Sequence, residues 1–136
     1  MNLNKKTILL IGFFGVIVFL ISMFNRELGI CGPKDGTCWG MFEYPGMLMF
    51  FFVPIFVFSL VTYFIQEQIF QSWRKTTFIF LGIFFLLFLI SPKRPDPMSP
   101  VPSKEVVVWY MVGLYSLFST SLIAFKSWKL KKTPST

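Results

Sequence analysis

Histidine is absent from this chain, cysteine occurs twice, and only six of the 136 residues are acidic. Without histidine or a carboxylate inside an apolar segment, general acid–base catalysis has no candidate group. The two thiols make half of a zinc site, and nothing completes it. A Gly-rich phosphate loop and a Ser-His-Asp set are missing as well. The most telling absence is positional. Asp, Glu, Lys and Arg do not occur in four long apolar runs, residues 7–24, 46–65, 76–90 and 106–125.

What fills the chain instead is apolar bulk. Hydrophobic residues make up 54% and aromatic residues 20%, with 19 phenylalanines. A soluble domain of this length cannot bury so much apolar surface, so lipid must cover it. A helix needs about 20 residues to cross about 30 Å of hydrocarbon. The third run reaches that length only if residues 73–77 continue it. Lipid offers no partner to bare backbone, so each run is expected to be helical. The runs are continuous rather than alternating, which excludes a β-barrel. The expected fold is an all-α membrane protein, a single four-transmembrane-helix bundle over residues 1–136. Its spans are approximately 7–24, 46–66, 75–91 and 106–126, with outside loops 25–45 and 92–105. The first run follows Lys5 and Lys6 as a signal peptide would. It is too long for one, and no small-x-small cleavage site follows Phe24, so it reads as a retained anchor.

Charge sets the threading. The two tails and the 66–75 link carry Lys5, Lys6, Arg74, Lys75, Lys126, Lys129, Lys131 and Lys132 against Glu67, a net of +7. The other two loops carry five basic and five acidic residues and are neutral. The positive-inside rule therefore puts both termini in the cytoplasm of a bacterial-type inner membrane. The eight basic residues are expected to anchor the chain to anionic headgroups, each worth about 1 kcal/mol. Nucleic acid is not an expected partner, because no folded domain presents these charges. Trp39, Tyr44, Trp73, Trp109, Tyr110 and Trp128 fall where an interfacial aromatic belt would place them.

The chemistry outside the runs is brief. Cys31-Gly32-Pro33-Lys34-Asp35-Gly36-Thr37-Cys38 is rich in turn formers, which bring the two sulfurs close and favour a structural disulfide. The redox alternative lacks a Cys-x-x-Cys pair and a second thiol pair. Pro92, Pro95, Pro97, Pro100 and Pro102 favour an extended strap that is ordered before any partner meets it.

Inside the runs, Pro54 is expected to kink the second helix. Gly113, Ser116, Thr120 and Ala124 share one face of the fourth and are expected to form its contact with the rest of the bundle, the alternative being a helix from another protein. Gly12, Gly15 and Gly82 are candidate notches for the bundle contact.

These features point to a non-enzymatic protein, without a cofactor or metal, that acts by contact with another membrane protein or with itself. An accessory or assembly role fits. One alternative is immunity against a pore-forming bacteriocin. The small, basic, four-span architecture resembles such immunity proteins, and Trp109-Tyr110-Met111-Val112-Gly113-Leu114-Tyr115-Ser116 is similar to the last span of some of them. The resemblance covers under a tenth of the chain. The other alternative is a small transporter or channel subunit. Proton coupling uses ionisable groups within the membrane, and the acid weighed for it is Glu67, at a cytoplasmic span end beside Arg74 and Lys75.

Overall fold

The computed structural model describes residues 4–32, 36–92 and 102–132, and no strand occurs among them. The helices are α1 (Lys5–Met23), α2 (Gly36–Phe50), α3 (Phe52–Tyr63), α4 (Glu67–Ile90) and α5 (Lys104–Lys132). α2 and α3 follow each other across Phe51, so the chain makes four stretches long and apolar enough to cross a membrane. The helical class and the number of such stretches agree with the sequence.

The boundaries differ in an instructive way. α2 starts at Gly36, ten residues before the second apolar run, so half of the expected 25–45 loop is helix. α4 starts at Glu67, so the expected 66–75 link is its first turns. Hydropathy ends where charge begins, but a helix does not: its backbone bonds close within the helix on either side of that line. Glu67 suits the position, since an acid in the first turn complements the helix dipole. Of the proline strap, residues 93–101 lie outside the described residues, and Pro95, Pro97 and Pro100 with them. Its two ends meet, the Lys104 amide donating to the Pro92 carbonyl at 3.2 Å.

The helix divides at Phe51, three residues before Pro54. Pro54 has no N–H to offer the carbonyl four residues earlier, that of Phe50, and its ring crowds that group. α2 therefore ends at Phe50, and the chain restarts at Phe52.

The four stretches alternate in direction. α1 packs along α2 and α3, and α4 packs along α5, giving two hairpins. The first hairpin is closed by small residues. A Cβ built on Gly15 would lie 2.5 Å from Phe52 Cβ, and one on Gly12 would lie 3.0 Å from Phe56 Cα. Further along, a Cβ on Gly46 would come within 3.1 Å of Ser22 Cβ. These positions let the backbones approach as closely as they do. Aromatic rings join the two hairpins. Phe51 is fully buried and stacks on Phe84 with ring centroids 4.5 Å apart. It also meets Tyr115 at 5.3 Å.

Lysines tie the helix ends. Lys5 begins α1, and its Nζ donates to the Ile65 carbonyl just past α3 at 2.8 Å. Lys104 begins α5, and its Nζ donates to the Phe88 carbonyl in the last turn of α4 at 2.7 Å. That amine also lies 4.4 Å from the centre of the Phe88 ring. In each case a cation meets the negative end of a neighbouring helix and a carbonyl left unpaired there. Lys104→Met should lower resistance to denaturing detergent by about 1–2 kcal/mol, the worth of a charge-assisted hydrogen bond. Equal unfolding midpoints for variant and parent would show that this cap contributes nothing.

Candidate functional site

The first turn of α1 and the Lys126 turn of α5 lie at one end of the bundle, beside the turn between α3 and α4. Lys5 sits 3.4 Å from the Glu67 carboxylate there. From α5, Lys126 Nζ hydrogen-bonds Ser72 Oγ on α4. Two of the eight expected anchors thus hold the protein together. Arg74 lies over the Phe70 ring at 5.9 Å. Lys6, Lys75 and Lys129 are exposed, and Lys131 lies, with Lys132, in the last turn of α5. Glu67, the one acid the transport reading could use, is a first-turn residue paired with Lys5.

Trp73 departs from the expected aromatic belt. It has no solvent exposure at all. Because α4 begins six residues earlier, Trp73 lies well inside the helix, on the face shared with Ile69, Phe70 and Thr77. Trp109, Tyr110 and Trp128 are exposed, as an interfacial position requires.

Around Trp73, α4 and α5 share a buried polar cluster. Thr77 Oγ1 donates to the Trp73 carbonyl at 3.0 Å and accepts from Tyr115 Oη at 2.9 Å. Ser59 and Thr62 on α3 donate to Phe56 and Phe58 carbonyls of their own helix. Trp73 Nε1 and Ser119 Oγ are fully buried without a partner among the described residues. Tyr115 is the centre: its ring also faces Phe58 and Phe80 at 6.0 and 5.7 Å. Sequence reading named this tyrosine only as part of the Trp109–Ser116 run and gave it no role of its own. The available signal was Tyr115 and Ser119 spaced four apart on one helix face.

The expected packing face of the fourth span needs correcting. Gly113, Thr120 and Ala124 are exposed, and Ser116 is only partly covered. A Cβ on Gly113 would meet nothing within 4 Å. α5 instead buries Val108, Met111, Tyr115 and Ser119, on the opposite side of the helix. Large side chains make many more dispersion contacts than glycine and serine do, and in this bundle they decide which face turns inward. Of the three glycine notches, Gly12 and Gly15 receive α3 rather than α5, and Gly82 receives nothing.

At the other end, Cys31 and Cys38 form a disulfide with Cα atoms 5.8 Å apart. It fastens the turn after α1 to the first turn of α2. Asn25 supports the same turn. It is 1% exposed, its Nδ2 donates to the Ser22 carbonyl, and its own carbonyl accepts from Ile30 and Cys31. Closing so short a loop constrains the unfolded chain by about 2–3 kcal/mol. Replacing both cysteines by serine should lower the melting temperature in detergent, and a reductant should then have no further effect. If the variant melted with the parent, the staple would be dispensable.

Among the described residues no three His, Cys, Asp or Glu side chains converge on a possible metal position. Near the disulfide end, α1, α2 and α5 line an open cavity of about 300 Å³. Its walls include Phe19, Met47, Phe50 and Trp109, with Glu43 and Glu105 also lining it. Comparison with protein-family models, characterised proteins and solved structures finds no match.

Proposed function

We propose that the chain is a four-span bacterial inner-membrane protein that works by binding another membrane protein, in an accessory or assembly role. Both termini face the cytoplasm in this reading, because the +7 charge gathers at the end where the tails lie. The disulfide then faces the oxidising side, where it persists.

The observation that carries the binding role is the face of α5 that its own bundle leaves uncovered. Gly113, Ser116, Thr120 and Ala124 are small and uncharged, and they lie opposite the packed side. Such a face lets a second helix approach closely and form interhelical hydrogen bonds in lipid. In an apolar 18-residue segment of each stretch only between 22% and 33% of the residues are buried within the chain, which leaves ample surface for a partner.

Gly113→Leu combined with Thr120→Leu should remove the partner from a mild-detergent preparation while the chain itself remains folded. Retention of the same partner by this double variant would exclude this face as the contact.

A further inference from the structure

We propose that the cavity between α1, α2 and α5 is a binding site for a lipophilic organic cation. Its volume of about 300 Å³ suits one small molecule and is too small for a partner helix. The apolar wall is already assembled. Phe50 packs against Phe19 with centroids 5.2 Å apart and edge-on to Trp109 at 5.2 Å. Met23 and Met47 add thioethers, which adapt to irregular apolar shapes. An indole is also the strongest ring for attracting a cation.

The charge comes from Glu43 and Glu105, which reach the same cavity from α2 and α5. Glu43 is the one charged residue in the whole Gly36–Tyr63 stretch. It lies mid-helix, where it complements no helix end. Neither carboxylate makes an ion pair among the described residues. The adjacent cation, Lys104, is turned onto the Phe88 carbonyl and ring. Ser22, 8% exposed, also lines the cavity.

The chemistry selects the occupant. A hard inorganic cation wants six or more oxygen ligands, and aromatic walls supply none. A zwitterionic phospholipid would bring a phosphate against two carboxylates. A monocation with an apolar body satisfies both parts of the site: rings and thioethers cover the body, and the two glutamates attract the charge.

The test uses the full-length chain in a neutral detergent, with tetraphenylphosphonium as the probe and tetraphenylborate as its anionic counterpart of matched shape. Tryptophan fluorescence is followed against micelles alone. Saturable quenching by the phosphonium and none by the borate is expected. Glu43→Gln with Glu105→Gln should weaken phosphonium binding by about tenfold or more, with helix content unchanged by circular dichroism. Equal binding of the two ions by the unaltered protein would overturn the proposal, since that comparison requires no variant to fold. Unweakened phosphonium binding by the double variant would overturn it too.

Discussion

Gly15→Leu is expected to detach α1 from α3. The glycine has no room for even a methyl group, because a Cβ there would lie 2.5 Å from Phe52 Cβ and 2.6 Å from its Cγ. The neighbouring contact at Gly12 is with Phe56 backbone, so the helix cannot slide aside to relieve the clash. Overpacking a well-filled contact costs about 1–3 kcal/mol, and a branched side chain forced against a facing helix belongs at or above the top of that range. The loss should appear as a lower unfolding midpoint in a denaturing-detergent titration. Gly82→Leu is the matched control. That glycine is exposed with nothing within 4 Å, so the same substitution there should change stability by no more than about 0.5 kcal/mol. Equal effects at the two positions would show that α1 does not pack as described.

Tyr115→Ala is expected to cost about 3–4 kcal/mol, in the range for removing a large buried aromatic side chain. Its ring contacts Phe51, Phe58 and Phe80, so the substitution opens the seam where the two hairpins meet. In an apolar solvent the loss comes from packing rather than from hydration, since lipid is as apolar as the core. Tyr115→Phe separates the ring from the hydroxyl. It should cost only about 1 kcal/mol, because Thr77 keeps its bond to the Trp73 carbonyl. If the two variants unfolded together, the hydroxyl rather than the ring would hold the seam.

Which parts of this structure the sequence revealed follows from the range of each interaction. Four charge-free runs fix four helices because lipid punishes any other backbone arrangement, and that is a local constraint. The turn formers around Cys31 and Cys38 act locally too, and they bring the sulfurs together. Pro54 acts four residues back, which is why the helix parts at Phe51 rather than at the proline itself. Helices begin at Gly36 and Glu67, ahead of the apolar runs, because hydropathy reports the solvent and not the backbone.

Side selection was the larger miss. Gly113, Ser116, Thr120 and Ala124 look like a packing face, yet α5 turns Met111 and Tyr115 inward. The choice depends on what Phe51 and Phe84 present from other helices, which no window along α5 contains. Lys5 and Lys104 were read as surface charge for the same reason. Their acceptors, the carbonyls of Ile65 and Phe88, belong to other helices. The cavity holding Glu43 and Glu105 likewise joins residues 62 positions apart in the chain.

The central claim is that this chain acts through the uncovered face of α5, and one measurement tests it most directly. The chain is purified in a mild detergent alongside its Gly113→Leu, Thr120→Leu double variant, and each complex is weighed by native mass spectrometry. The account predicts a defined complex with a second membrane protein for the parent and the bare, folded chain for the variant. A parent that appears only as a monomer, or a complex that survives both substitutions, would contradict it.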